Sequence, residues 1–195
     1  MNKVKLFLTD VDGCLTDGGM YYSDNGVESK RFCVYDGMGM VLLQQQGIPC
    51  GILTSEKTSL VTDRARKLNL NILYLGVGSK LDKATCLRFV PAKAEPEELP
   101  GMTKLEAAKS LCEEMKITLD EVCFVGDDVN DIDLLWSVGY PCCPPNAIAE
   151  VRAIQGIHVT KTPGGQGAIR ELCDEILSNE NPERPPEVTG GAASA

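Results

Sequence analysis

Four clusters of residues carry types and spacings that chemistry can use. The first is Asp10-Val11-Asp12-Gly13-Cys14-Leu15-Thr16-Asp17. On an extended strand, residues two apart point the same way, and a turn at Gly13 can curl Asp12 over Asp10. One carboxylate can bind a hard cation and attack phosphorus, while the other gives a proton to the leaving oxygen. Taken alone, the run reads equally well as an Asp-rich turn. The second cluster, Gly126-Asp127-Asp128-Val129-Asn130-Asp131, follows the apolar run Val122–Val125. An acidic N-cap accounts for one Asp there but not for the run. Acids at two strand ends make an oxygen cage of the kind Mg²⁺ prefers. The third is Ile52-Leu53-Thr54-Ser55. A hydroxyl with backbone N–H groups at a helix start can cradle phosphate, though Thr and Ser are also ordinary caps. The fourth need is a cation to neutralise the nucleophile, which Lys80 or Lys104 can supply.

These clusters need a frame. Val4–Thr9, Pro49–Thr54, Ile72–Gly76 and Val122–Val125 read as strands, with weaker candidates near Tyr140 and His158. Gly37–Gln46, Lys57–Leu68, Lys104–Met115, Asp131–Val138 and Gln166–Leu177 carry apolar residues at helical spacing. The alternation predicts an α/β fold: a doubly wound parallel sheet with helices on both faces. In such sheets ligands bind beyond the carboxyl ends of the strands, where the acids and Thr54 fall. Gly18–Cys33 breaks the alternation and reads as a β-hairpin turning at Asn25-Gly26. The segment from Asn179 to Ala195 is rich in Pro, Gly, Ala and Glu, which predicts a disordered tail. The expected organisation is one domain over 1–178 and a tail over 179–195.

Bulk composition narrows the partners. The 195 residues suit one domain, and the net charge of −9 with no basic run argues against nucleic acid and anionic membranes. No apolar stretch approaches the roughly 18 residues of a membrane helix, and the opening residues carry no secretory-type run, so a cytoplasmic protein is expected. Nine cysteines at irregular spacings read as buried thiols, not as a zinc site. His158, the single histidine, cannot by itself build a Ser/His or Cys/His machine.

With Asp10-Val11-Asp12-Gly13, Thr54-Ser55, a Lys and Gly126-Asp127-Asp128 in place, the chain resembles the haloacid dehalogenase superfamily of phosphatases. More narrowly it resembles the capless members that act on 3-deoxy-2-keto sugar acid phosphates. The narrow marks are Thr16-Asp17-Gly18 with its hairpin, Val34-Tyr35-Asp36-Gly37-Met38-Gly39, and Gly164-Gly165-Gln166-Gly167-Ala168-Ile169-Arg170-Glu171. The resemblance implies that Asp10 is nucleophile and Mg²⁺ ligand. It implies that Asp12 binds the metal through its carbonyl and acts as acid and base, that Asp127 is the third protein ligand, and that Asp128 orients water on the metal. Thr54 and Ser55 would hold the phosphoryl group.

Two features depart from the octulosonate 8-phosphate phosphatases in this group. Ser55-Glu56 follows the Thr where many of them carry Gly-Arg. Glu56, with Arg64 and Lys67 on the next helix, fits the branch that acts on ketodeoxynononate 9-phosphate. There Glu56 would meet sugar hydroxyls, and Arg64 and Lys67 a carboxylate, through a neighbouring subunit or their own. The bland alternative is a solvated helix face. The second departure is an insertion, Gly78–Met102, where relatives place a cap domain. Thr103-Lys104-Leu105-Glu106 opens the helix after it with a capping-box pattern, and the resemblance runs without gaps from Lys104 onward, which favours Lys104 over Lys80 as the catalytic cation. Lacking a full cap, the chain is expected to form a homotetramer around the 18–33 hairpin, as capless members do. Two rivals are a receiver-type signalling domain, whose acceptor Asp stands apart from its acidic pair, and a non-catalytic assembly module with altered acids. The retained Asp10, Asp12, Asp127 and Asp128 argue against both.

Overall fold

The computed structural model describes residues 3–78, 85–91 and 94–180. Lys80 and residues 181–195 lie outside the described residues, and so do the calls that fall on them. The chain opens with β1 (Leu6–Thr9), then a two-stranded ribbon of β2 (Tyr21–Tyr22) and β3 (Glu28–Ser29). It continues through α1 (Val34–Gln45), β4 (Cys50–Thr54), α2 (Ser59–Lys67) and β5 (Ile72–Leu75). Next come β6 (Cys86–Phe89), β7 (Glu97–Leu99), α3 (Lys104–Met115) and β8 (Val122–Val125). The last elements are α4 (Ile132–Leu135), β9 (Tyr140–Cys143), α5 (Ala149–Arg152), β10 (His158–Val159) and α6 (Ala168–Glu180).

The main sheet runs β10-β9-β8-β1-β4-β5-β6-β7. The first six are parallel; β6 and β7 add antiparallel at the edge beside β5. All four residues of β1 and of β8 are buried, as central parallel strands covered on both faces require. Side chains alternate between two cores. Phe7 joins Met40, Leu43, Val61 and Ile169 beneath α1, α2 and α6. Leu6 and Leu8 join Ala107, Leu111, Phe124 and Leu134 beneath α3 and α4. The strand order reverses direction at β1, so a crevice opens where β1, β4 and β8 end.

Local chemistry sets the element ends. Thr103 Oγ1 accepts from the Glu106 N–H at 3.1 Å and Glu106 Oε2 accepts from the Thr103 N–H at 2.7 Å, so the box that starts α3 forms as its residues suggest. Helix α2 starts two residues later than periodicity suggests, because Thr58 caps it, accepting from the Leu60 N–H at 3.2 Å. The hairpin turns at Ser23–Val27, with Gly26 at φ 77° and its N–H donating to Ser23 at 2.8 Å. That is a turn followed by a left-handed glycine, a three-residue hairpin loop. Helix α6 runs through Asn179 and Glu180, two residues into the expected tail. Its last buried apolar residue is Leu177, and the helical ladder carries on for a turn beyond it.

The described part of the 78–102 insertion builds no separate cap. It extends the sheet as β6 and β7. Arg88 ties this ribbon to the body: it pairs with Glu97 at 3.4 Å and with Glu114 on α3, and it lies 5.7 Å from the centre of the Tyr74 ring.

Candidate active site

Asp10 follows the last residue of β1, and its N–H donates to the Val125 carbonyl of β8 at 2.9 Å. The parallel register thus fixes the nucleophile candidate against the strand that ends in Gly126-Asp127. Asp10 Oδ1 accepts from the Val11 N–H at 2.7 Å, and Oδ2 meets Lys104 Nζ at 2.8 Å. Lys104 is 1% exposed, rising from the first turn of α3 between two carboxylates, with Asp131 Oδ1 at 2.6 Å.

Asp131 is the acid that the spacing of the sequence did not single out. It is fully buried, and its Oδ2 accepts from the N–H groups of Asp127 and Asp128 at 2.9 and 3.2 Å. One carboxylate therefore fixes both the Asp127 loop and the cation. Carboxylate oxygens of Asp10, Asp127 and Asp131 lie within 4.8 Å of one another. Asp128 lines the cavity instead of joining this set, because its carboxylate caps the short turn after it and accepts from the Val129 N–H at 2.7 Å.

Crowding shows in the acidities. Burial pushes Asp10 up to about 6, with Lys104 opposing it and Asp131 adding to it. Burial, then the charges of Asp10 and Asp131, pushes Asp127 up to about 7. Three acids facing one ammonium leave negative charge that a hard dication would neutralise, so the donor set fits Mg²⁺.

A cavity of about 300 Å³ opens over these groups, lined among others by Asp12, Gly13, Thr54, Ser55, Glu56 and Asn130. Thr54 ends β4 almost fully buried, and its Oγ1 accepts from the Glu56 N–H at 3.3 Å. Ser55 Oγ donates to the Val77 carbonyl and accepts from Asn130 Nδ2, both at 3.0 Å. Asp12 turns towards the hairpin: Lys30 Nζ donates to its two oxygens at 2.8 and 2.9 Å and pairs with Glu56 at 2.7 Å. Burial pulls the Lys30 ammonium down, but the bonds to Asp12 and Glu56 outweigh it and hold it charged.

The glycine-rich turn supports the loop from behind. Asn146 Nδ2 donates to the Gly13 carbonyl at 2.9 Å, and Asn146 Oδ1 accepts from the Gly164 N–H at 2.8 Å. A Cβ at Gly164 would run into the Gly13 carbonyl, so only glycine fits there. Arg64 and Lys67 are not at this cavity in the single chain. Arg64 donates to the Cys33 carbonyl at 3.1 Å and stacks near Phe32, while Lys67 is exposed on α2. A larger cleft of about 730 Å³ lies at the other end of the sheet around Val4, Tyr140 and His158 and holds none of these acids. His158 pairs there with Glu175 at 3.2 Å.

The chain is similar to known proteins. A family model for haloacid dehalogenase-like hydrolases matches residues 99–170. The 3-deoxy-D-manno-octulosonate 8-phosphate phosphatase KdsC of Escherichia coli is 32% identical over 177 residues, covering 89% of this chain and 79% of its own. The octulosonate 8-phosphate phosphatase of Moraxella catarrhalis, solved with magnesium, phosphate and KDO, is 31% identical with a TM-score of 0.73 over 90% of this chain and 86% of its own. The cobalt-bound enzyme of Haemophilus influenzae is 29% identical with a TM-score of 0.71 over 90% of this chain and 88% of its own.

Proposed function

This chain belongs to the haloacid dehalogenase-like hydrolases, and we propose that it is a Mg²⁺-dependent phosphatase of 3-deoxy-2-keto sugar acid phosphates. The observation that carries the reading is the set of buried Asp10 and Asp131 and half-buried Asp127 around Lys104 at the ends of β1 and β8. Oxygens of Asp10 and Asp127, with the Asp12 carbonyl, would hold Mg²⁺, which supplies charge neutralisation for the phosphoryl group. Asp10 attacks phosphorus and forms an aspartyl phosphate as the sugar oxygen leaves. Asp12 gives that oxygen its proton, then takes one from the water that releases phosphate. Thr54 and Ser55 hold phosphoryl oxygens, and Lys104 keeps Asp10 ionised and aimed. Such transfer rests on positioning and electrostatics more than on elaborate covalent chemistry.

Within that class we favour ketodeoxynononate 9-phosphate. Glu56 lines the cavity, where a carboxylate can accept from sugar hydroxyls. The names of the relatives favour octulosonate 8-phosphate as the second reading. Phosphate release from both, side by side with Mg²⁺, separates them. A preference for the nononate that Glu56→Gly lowers by about tenfold, the worth of one hydrogen bond to a charged group, supports the first reading. A preference for the octulosonate that Glu56→Gly leaves alone rejects it.

The working form is a homotetramer built around the hairpin. Tyr21, Tyr22, Val27, Val34, Tyr35 and Met38 are all exposed on the hairpin and the start of α1, an apolar surface that a neighbouring chain would cover. It is also the route by which Arg64 and Lys67 of one chain would reach the cavity of another. Light scattering should give four times the chain mass; an active monomer would reject the assembly.

A further inference from the structure

Lys30 has no signal in the sequence, yet its side chain is 1% exposed on an otherwise exposed hairpin. It follows β3, and the bridge between Thr16 and Phe32 pins the backbone just after it. The ammonium therefore points inward, into a ring of acids from three separate segments. Asp12 comes from the loop after β1, Glu56 from the loop after β4, and Glu28 from the hairpin itself. Glu28 Oε1 stands 3.4 Å away without a hydrogen bond, so it adds charge and little direction. Asp12 and Glu56 make the directed contacts.

Asp12 needs this support. Among the described residues its one other side-chain hydrogen bond comes from Thr16 Oγ1, at 3.2 Å. A carboxylate at a cavity rim with one such bond is free to swing into water. Two N–H···O bonds from one ammonium fix both its oxygens, and Glu56 anchors that ammonium from across the cavity.

We infer that Lys30 is a positioning residue for the proton transfers of Asp12, holding the carboxyl group in reach of the leaving oxygen and coupling it to Glu56. The inference rests on the acid–base role of Asp12 in the function proposed above. In the step concerned, the Asp10 oxygen bonds to phosphorus as the ester P–O bond breaks, and the proton of Asp12 goes to the departing oxygen. Lys30 keeps its own protons throughout.

The test varies the leaving group. A sugar acid phosphate expels an alcohol, which must be protonated; dinitrophenyl phosphate expels a stable phenolate, which need not be. Wild type, Lys30→Met, Lys30→Arg and Asp10→Asn are compared by kcat/KM, which reports the steps up to loss of the leaving group. The sugar substrate is whichever of the nononate and octulosonate phosphates the wild type turns over faster. Lys30→Met should lose about 100-fold on the sugar phosphate, within the range of general acid catalysis, and at most about fivefold on the aryl phosphate. Lys30→Arg should recover about tenfold of the sugar-phosphate loss, because a cationic donor is restored with altered geometry. Equal losses on both substrates would overturn the inference and make Lys30 a purely structural tie; so would an undiminished rate on the sugar phosphate. The aryl substrate doubles as a check that the variant is folded. Release that persists in Asp10→Asn would end the aspartate-nucleophile reading and this inference with it. Equal losses in Lys30→Met with Asp10→Asn inactive would end the inference alone.

Discussion

Asp10→Asn is expected to lose about 10⁴-fold or more in phosphate release, the scale on which removing a nucleophile acts. Nothing beside Asp10 can replace it. Asp127 is half-buried beside it, but it belongs to the acidic set that could hold a cation. Asp131 has both oxygens committed, one to Lys104 and one to two backbone N–H groups. The substitution also has a structural cost. Both Asp10 oxygens face donors, the Val11 N–H and Lys104 Nζ. An asparagine has only one acceptor oxygen, so its amide must point at one of those donors. The variant should fold, with a loss of about 1–3 kcal/mol, the penalty for one unsatisfied buried polar group. Phosphate release together with urea unfolding checks both parts. Release within tenfold of wild type would remove Asp10 from the nucleophile's role.

Lys104→Met is expected to cost both stability and activity. Breaking a buried ion pair by removing one partner costs about 3–5 kcal/mol, because the remaining charge is left uncompensated. Here two carboxylates lose the same cation, with Lys104 itself 1% exposed. Turnover should fall about a thousandfold, as Asp10 takes up a proton and the phosphoryl oxygens lose a positive charge. The pH dependence has a definite sign. Asp10 at about 6 and Asp127 at about 7 are raised already, and losing Lys104 raises Asp10 further. An acid whose folded pKa lies above its unfolded one destabilises the fold at higher pH, and protonation relieves that as pH falls through the folded value. The stability deficit of Lys104→Met should therefore shrink from pH 8 to pH 5. Mg²⁺ should stabilise this variant more than wild type at pH 8, where both acids are ionised. Urea unfolding at both pH values with and without Mg²⁺ measures this. A deficit that is the same at both pH values and indifferent to Mg²⁺ would mean that Lys104 is only a packing element.

The frame was legible because buried parallel strands leave short apolar runs, and β1, β4 and β8 each end in residues that line the candidate site. Val122–Val125 is the same in the sequence and in the sheet. The edge strands β6 and β7 were not legible: Cys86–Phe89 and Glu97–Leu99 are short and half exposed, so they carry no periodicity. In the site, Asp10, Asp12, Thr54 and Asp127 stand out because turns after strands concentrate polar residues. Lys104 could be preferred because the family pattern runs without gaps from it to Asp127 and a capping box stands beside it, but its depth between Asp10 and Asp131 is a matter of tertiary packing. Asp131 had a usable signal, since it sits three residues after the N-cap Asp128, where a capping box places an acid. Lys30 and Asn146 had none. Their roles arise from a hairpin and a distant turn meeting the β1 loop, which no local spacing records.

The cavity over Asp10 is proposed to take a 3-deoxy-2-keto sugar acid phosphate. The most direct test is kcat/KM with Mg²⁺ for ketodeoxynononate 9-phosphate and octulosonate 8-phosphate against a panel of common sugar phosphates such as glucose 6-phosphate. One of the two sugar acids should exceed every common phosphate by about 100-fold or more, two directed hydrogen bonds' worth of discrimination. A common sugar phosphate turned over as fast as either sugar acid would contradict it.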